Sequence, residues 1–179
     1  MKTIYIVRHA RAAGQPFHAP LTEEGEQQAV QLATFLEIRS IQAVYSSPFV
    51  RAKDTIAPFA KRSGLTVQED DRLGERVLSD QDLPDWMERL KNSFDDFSLS
   101  LPGGESNQMA MERARSFVDE VLKKKEDRIV CVSHGNLTTL LLRLFDDSYG
   151  YSELFALSNP DVYIVEVGEA RASVRRIWG

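Results

Sequence analysis

TIYIV at residues 3–7 is followed at once by Arg8 and His9, and IVCV at residues 129–132 is followed by Ser133 and His134. Each run is short and rich in β-branched residues and stops abruptly at polar residues, so each reads as a buried strand. Ala43–Tyr45 reads as a third strand, ending in SSP at 46–48. Helical patterns separate them. Thr22 can cap a helix with Glu23 and Glu24 in its first turn and Ala29, Leu32, Ala33 and Leu36 on its apolar face. Strands alternating with helices predict one domain over residues 1–179, an α/β three-layer sandwich whose mostly parallel sheet is flanked by helices on both faces. In such sheets ligands bind beyond the carboxyl ends of the strands.

The remaining elements fit the same plan. A helix is expected from Pro48, with Ala52, Thr55, Ile56, Phe59 and Ala60 inward and Gly64 as its stop. Leu65–Val67 reads as a short strand and EDDRLGER at 69–76 as a connection. Leu83, Met87, Leu90 and Phe94 mark a helix with Pro84 in its first turn, and PGGES at 102–106 is a turn that leads into another. That next helix buries Ala110, Ala114, Phe117, Val118 and Val121; a further one follows His134 at LTTLLLRLF. The tail, VYIVEV and ASVRRIW about Gly168, reads as a hairpin.

Composition removes several classes. A net charge of −5 argues against nucleic acid as a partner, since phosphate backbones are bound by clustered Lys and Arg. The single cysteine, Cys131, excludes an intramolecular disulfide and reads as a small buried side chain. The amino-terminal apolar run is too short for a secretory signal or a membrane span, which places the expected location in the cytoplasm. Oligomeric state is not legible.

Two of the three histidines, His9 and His134, stand just past strands, with Arg8 beside the first and Arg51 after the SSP strand. Three strand ends thus deliver two guanidiniums and two imidazoles to one sheet edge. A phosphate monoester is largely dianionic at neutral pH, and Arg binds its oxygens in bidentate fashion while staying protonated. Phosphoryl transfer depends mostly on positioning and charge stabilisation, so this set can act without a metal or other cofactor. A neutral imidazole can attack phosphorus and form a phosphohistidine that water later cleaves. The leaving alkoxide needs a proton, which Glu75 or a neighbouring acid in EDDRLGER can supply.

The ordered set IVRHA, PLTEEGEQQA, YSSPFVRAKDT, RLGER, PGGES and VSHGN, spread over most of the chain, resembles the histidine phosphatase superfamily, also called phosphoglycerate mutase-like. The resemblance implies His9 as nucleophile, Arg8, Arg51 and His134 as the phosphate pocket, Glu75 as proton donor, no metal, and small phosphorylated substrates and inorganic phosphate as ligands. Gln15 stands where an Asn often helps hold the phosphate. The chain departs from the family at Ala10, where Gly is usual and where a positive φ would cost about 1 kcal/mol, and at Arg11 and Ala12, where an acid and a hydroxyl are common. His18, beside Phe17, has no family counterpart and reads as loop packing or pocket rim.

Other chemistries find little support. Cys131 has Leu137 rather than Arg six positions on, no Gly precedes Lys, and HExxH is absent, which disfavours cysteine phosphatase, P-loop and zinc mechanisms. Within the family the rivals are a phosphoglycerate mutase, which resembles longer chains, and a protein phosphohistidine phosphatase, which resembles shorter ones lacking RLGER and GGES. A non-catalytic phospho-ligand module would need neither His9 nor Glu75. The sequence therefore favours hydrolysis of phosphate monoesters.

Overall fold

The computed structural model describes all residues, Met1–Gly179. The chain runs β1 (Lys2–Arg8), α1 (Glu23–Glu37), β2 (Ala43–Ser46), α2 (Val50–Ser63), β3 (Val67–Glu69), a 3-10 turn (Asp71–Leu73), α3 (Trp86–Asp95), α4 (Asn107–Leu122), β4 (Arg128–Ser133), α5 (Gly135–Arg143), α6 (Tyr151–Ala156), β5 (Asp161–Val167) and β6 (Ala172–Arg176). The six strands form one sheet in the order β3-β2-β4-β1-β5-β6. The pairs β2–β3, β2–β4 and β1–β4 are parallel, whereas the terminal hairpin adds β5 and β6 in antiparallel fashion. No helix is long and apolar enough to cross a membrane.

Strand periodicity divides the core into two layers. Alternate residues point to opposite faces, so Ile4 and Ile6 of β1 join Ile129 and Cys131 of β4 on the face covered by α4 and α5. Tyr5 and Val7 join Val130 and Val132 on the other face, under Leu32, Ala33 and Leu36 of α1 and Ala52, Ile56 and Phe59 of α2. Strands buried on both faces must be apolar throughout, which is why these runs lack a polar alternation. Cys131 is a free thiol in this core, and burial pushes its pKa up to about 12.

Several boundaries differ from expectation. The second helix begins at Val50 rather than Pro48, because Phe49 stays extended as its N-cap. The third strand starts at Val67, so Leu65 lies outside it. Pro84 precedes α3 instead of sitting in its first turn; Asp85 is the N-cap and accepts from Arg89 through both carboxylate oxygens. Helix α6 was not anticipated, since six residues carry too little periodicity to register.

Helix α1 is tied to the loop that leaves β1. Thr22 Oγ1 accepts from Gly25 N at 3.0 Å, capping the helix as its sequence position suggested. Gln28 Oε1 accepts from Arg11 N at 2.9 Å, and Thr22 N donates to Arg11 O at 3.0 Å. A Cβ on Gly25 would lie 2.0 Å from that same carbonyl oxygen. The glycine in PLTEEGEQQA is therefore fixed by the backbone it faces. Gly25→Ala is expected to destabilise the fold by about 1 to 3 kcal/mol through overpacking, read as a lower urea midpoint with an unchanged slope.

Candidate active site

The three parallel strands β1, β4 and β2 end side by side. Register pairs Arg8 with Ser133 and Ser46 with Val132, so the residues just past each end, His9, His134 and Ser47, meet at one edge. The ring centroids of His9 and His134 are 5.1 Å apart in an edge-on arrangement. Arg51, one residue into α2, reaches the same point and is 2% exposed. Its Nε donates to His9 Nε2 at 3.3 Å, while its Nη1 donates to the carbonyls of Gln15 and Pro16 at 2.9 and 3.0 Å. The structure thus brings Arg8, His9, Arg51 and His134 together, as the sequence suggested.

Hydrogen bonding selects one tautomer of His9. Nδ1 lies 2.6 Å from the carbonyl oxygen of Ala10, a group that only accepts, so Nδ1 carries the proton and Nε2 keeps its lone pair. Burial, joined by the Arg51 and Arg8 charges, lowers the pKa to about 4 against the opposing Ala10 carbonyl. The ring is neutral at physiological pH, with Nε2 unprotonated and accepting from Arg51 Nε. That is the state a nucleophile requires.

His134 is fixed in a similar way through a residue that the sequence reading passed over. Ser47 Oγ lies 2.8 Å from His134 Nε2 and accepts from Phe49 N at 3.3 Å. Either partner can supply the proton of the Ser47–His134 bond, according to the tautomer of the imidazole. Nδ1 is buried without a partner, and so is Nε of Arg8. Burial, then the neighbouring His9 and Arg51, hold His134 neutral, with its pKa lowered to about 2.

Arg8 Nη1 donates to Leu157 O at 3.1 Å, and the guanidinium packs where a Cβ on Gly135 would stand 3.1 Å from its Nη2. The glycine of VSHGN therefore makes room for Arg8. Glu75 sits at the start of α5: Oε1 accepts from Arg76 N and Leu137 N at 2.8 and 2.9 Å, and Oε2 from Asn136 N at 3.0 Å. Anions favour helix amino termini for this reason. Its charge also acts on both Arg8 and Arg51, raising pKa values that burial lowers more strongly.

Other sequence readings resolve plainly. Ala10 is buried and does not have a positive φ, which among non-glycine residues only Ser40 has; the substitution for Gly therefore carries no backbone strain. Arg11 turns to the surface and pairs with Glu24 at 2.8 Å, so its charge is spent outside the pocket. Gln15 reaches the site through its carbonyl, and its side chain is exposed on the wall of the adjoining cleft. His18 is exposed and packs edge-on against Phe17, which leads through Phe49 to His134. Besides Ser47, sequence reasoning missed Thr55, whose Oγ1 accepts from Ala10 N at 2.9 Å, and Asn159, whose amide donates to His9 O at 3.0 Å. The only signals were SSP for Ser47, the inward helical position of Thr55, and the Asn-Pro turn at 159–160 for Asn159.

A profile of the histidine phosphatase superfamily (branch 1) matches residues 4–178. The chain belongs to that superfamily. It is 32% identical over 154 residues to the probable phosphoglycerate mutase GpmB of Salmonella choleraesuis, covering 75% of this chain and 70% of the relative. It is 29% identical over 150 residues to phosphoserine phosphatase 1 of Hydrogenobacter thermophilus, covering 75% of this chain and 71% of the relative. The mycobacterial glucosyl-3-phosphoglycerate phosphatase, solved with inorganic phosphate, superposes with a TM-score of 0.80 at 26% identity, over 99% of this chain and 96% of that one. The α/β sandwich with its mostly parallel sheet is thus the superfamily's fold.

The depressed histidines have a consequence for stability. Unfolded imidazoles bind a proton near pH 6.5, whereas native His9 and His134 do so only near 4 and 2. Between those values the unfolded state holds more protons, so stability falls as pH drops below about 6.5. Urea midpoints should decrease from pH 7 to pH 5, less steeply in His134→Asn. At pH 6, ¹⁵N NMR should show both rings neutral, with His9 protonated on Nδ1; either of these two rings titrating near 6.5 would contradict the burial argument.

Proposed function

We propose that this chain is a metal-independent phosphatase that hydrolyses phosphate monoesters through a phosphohistidine on His9. The observation that carries the reading is the pair of buried nitrogens without partners, Arg8 Nε and His134 Nδ1, beside a neutral imidazole whose unprotonated Nε2 accepts only from Arg51 Nε. Buried polar groups are almost always satisfied. An anion with several oxygens, such as a phosphoryl group, would satisfy both and offset the desolvated charge of Arg8 and Arg51.

In this reading the phosphoryl oxygens bind Arg8, Arg51 and His134, and Gln15 contributes through the carbonyl that holds Arg51. His9 Nε2 attacks phosphorus, the P–O bond to the alcohol breaks, and its electron pair leaves on the oxygen. Glu75, once its carboxylate has taken up a proton against the three N–H groups it accepts from, gives that oxygen the proton and becomes a carboxylate again. It then takes a proton from water, whose oxygen attacks phosphorus and breaks the N–P bond, releasing inorganic phosphate and restoring His9. The Ala10 carbonyl holds the Nδ1 proton as positive charge builds on the ring. The kinship with GpmB raises the mutase alternative; a mutase would interconvert phosphoglycerates faster than it releases phosphate.

Quenching during turnover without acid should trap phosphate on His9, stable to alkali and lost in acid. Its appearance on His134 instead, or its absence at full activity, would overturn the assignment. Arg8→Ala and Arg51→Ala should each weaken vanadate inhibition, since a hydrogen bond to a charged group is worth about 1.5 to 3 kcal/mol. Chelators should change nothing. In single turnovers, Glu75→Gln should slow phosphorylation strongly with alkyl esters and mildly with nitrophenyl phosphate, whose phenolate leaves without a proton; equal losses would remove Glu75 as the acid.

A further inference from the structure

A cleft of about 450 Å³ opens beside Glu75, bounded by Leu78, Leu83, Trp86 and Leu90 and edged by Asp82. Because the acid protonates the leaving oxygen, the side of the site that holds Glu75 is the side on which the alcohol departs. The inference below therefore rests on the phosphatase reading. Two features of the cleft restrict what that alcohol can be.

The first is charge. Arg76 is the only cation on the wall; it is 6% exposed, with Nε donating to Glu105 O at 3.1 Å and Nη1 to Ser93 Oγ at 2.8 Å. It ties the loop after Glu75 to α3 and to the turn at 102–106. The Asp82 carboxylate is exposed at the rim. A leaving group that carried its own carboxylate or a second phosphate would meet that negative charge, and the one cation on the wall, Arg76, already donates to Glu105 O and Ser93 Oγ.

The second is apolar surface. Trp86 leaves 49% of its surface exposed at the start of α3, in a wall that it shares with three leucines. An alcohol of three carbons would leave much of this cleft filled with water. An uncharged alcohol with a flat ring would displace that water and cover the indole, gaining burial and offset stacking.

The geometry points to phosphate monoesters of uncharged, ring-bearing alcohols as the substrates of this site, in preference to phosphorylated three-carbon acids. The test compares three alkyl esters on the intact enzyme: 2-phenylethyl phosphate, ethyl phosphate and 3-phosphoglycerate. All three expel poor leaving groups, so differences in kcat/KM report mainly on the cleft. The phenylethyl ester should exceed each of the others by about tenfold or more, the usual worth of a filled apolar pocket. Trp86→Ala, at an exposed position, should bring its advantage over ethyl phosphate down to about threefold or less. Asp82→Asn should raise the rate for 3-phosphoglycerate relative to ethyl phosphate.

A preference for 3-phosphoglycerate, equal rates with all three esters, or an advantage that survives Trp86→Ala would each overturn the inference. Trapping in the same reactions keeps the two readings apart. If His9 becomes phosphorylated and the selectivity is wrong, only the inference fails. If no ester phosphorylates His9 while phosphate is released, the phosphatase mechanism itself fails.

Discussion

The parallel pairing of β1 with β4 sets the conditions for everything else at the sheet edge. It places Arg8 opposite Ser133, so that the next residue of each strand is a histidine, and the two rings meet edge-on with no backbone between them. β2, on the far side of β4, adds Ser47 and leads into α2, whose second residue is Arg51. A slip of one residue would turn Ile4 and Ile6 to the wrong layer as well as separate the histidines. The hydrophobic pattern of the strands thus fixes the site's geometry, and Val132 holds Ser47 in place through its carbonyl at 2.9 Å.

Electrostatics at that edge are unusual for a buried region. Arg8 and Arg51 spend their donors on carbonyls and an imidazole rather than on carboxylates within ion-pair reach. Burying guanidiniums without paired anions is costly, and the two histidines beside them are held neutral first by burial and then by the same positive field. Glu75 compensates in part from the start of α5. Stability given up at one place is often what a binding site needs, because the missing charge is left for the ligand to bring.

The sequence revealed the parts of this arrangement that depend on period and type. Strands buried on both faces show as apolar runs, and each catalytic candidate follows such a run or the turn after it. Thr22 and Gly64 marked helix ends because capping chemistry is local. What stayed hidden depends on contacts between distant segments. Ser47 matters through a ring 87 residues away, and Asn159 through a carbonyl 150 residues away. Helix α6 was too short to show a period, and Pro84 falls just before α3 because α3 starts only at Trp86. Ala10 and Arg11 looked like departures with consequences; the backbone at 10 and the surface pair at Glu24 show that neither disturbs the pocket.

Cys131 is the chain's only sulfhydryl, and β4 seals it between two layers of side chains. With its ionisation pushed up to about 12, almost no thiolate exists at neutral pH, and it is the thiolate that attacks peroxides and disulfides. The groups at the sheet edge are imidazole, guanidinium, hydroxyl and carboxylate, none of which enters the sulfur oxidation series. Oxidants reaching this protein will meet the thioethers of Met1, Met87 and Met109, exposed at 84%, 47% and 53%. Met87 adjoins Trp86 in the first turn of α3, so oxidative damage will register at the cleft wall before it reaches the histidines.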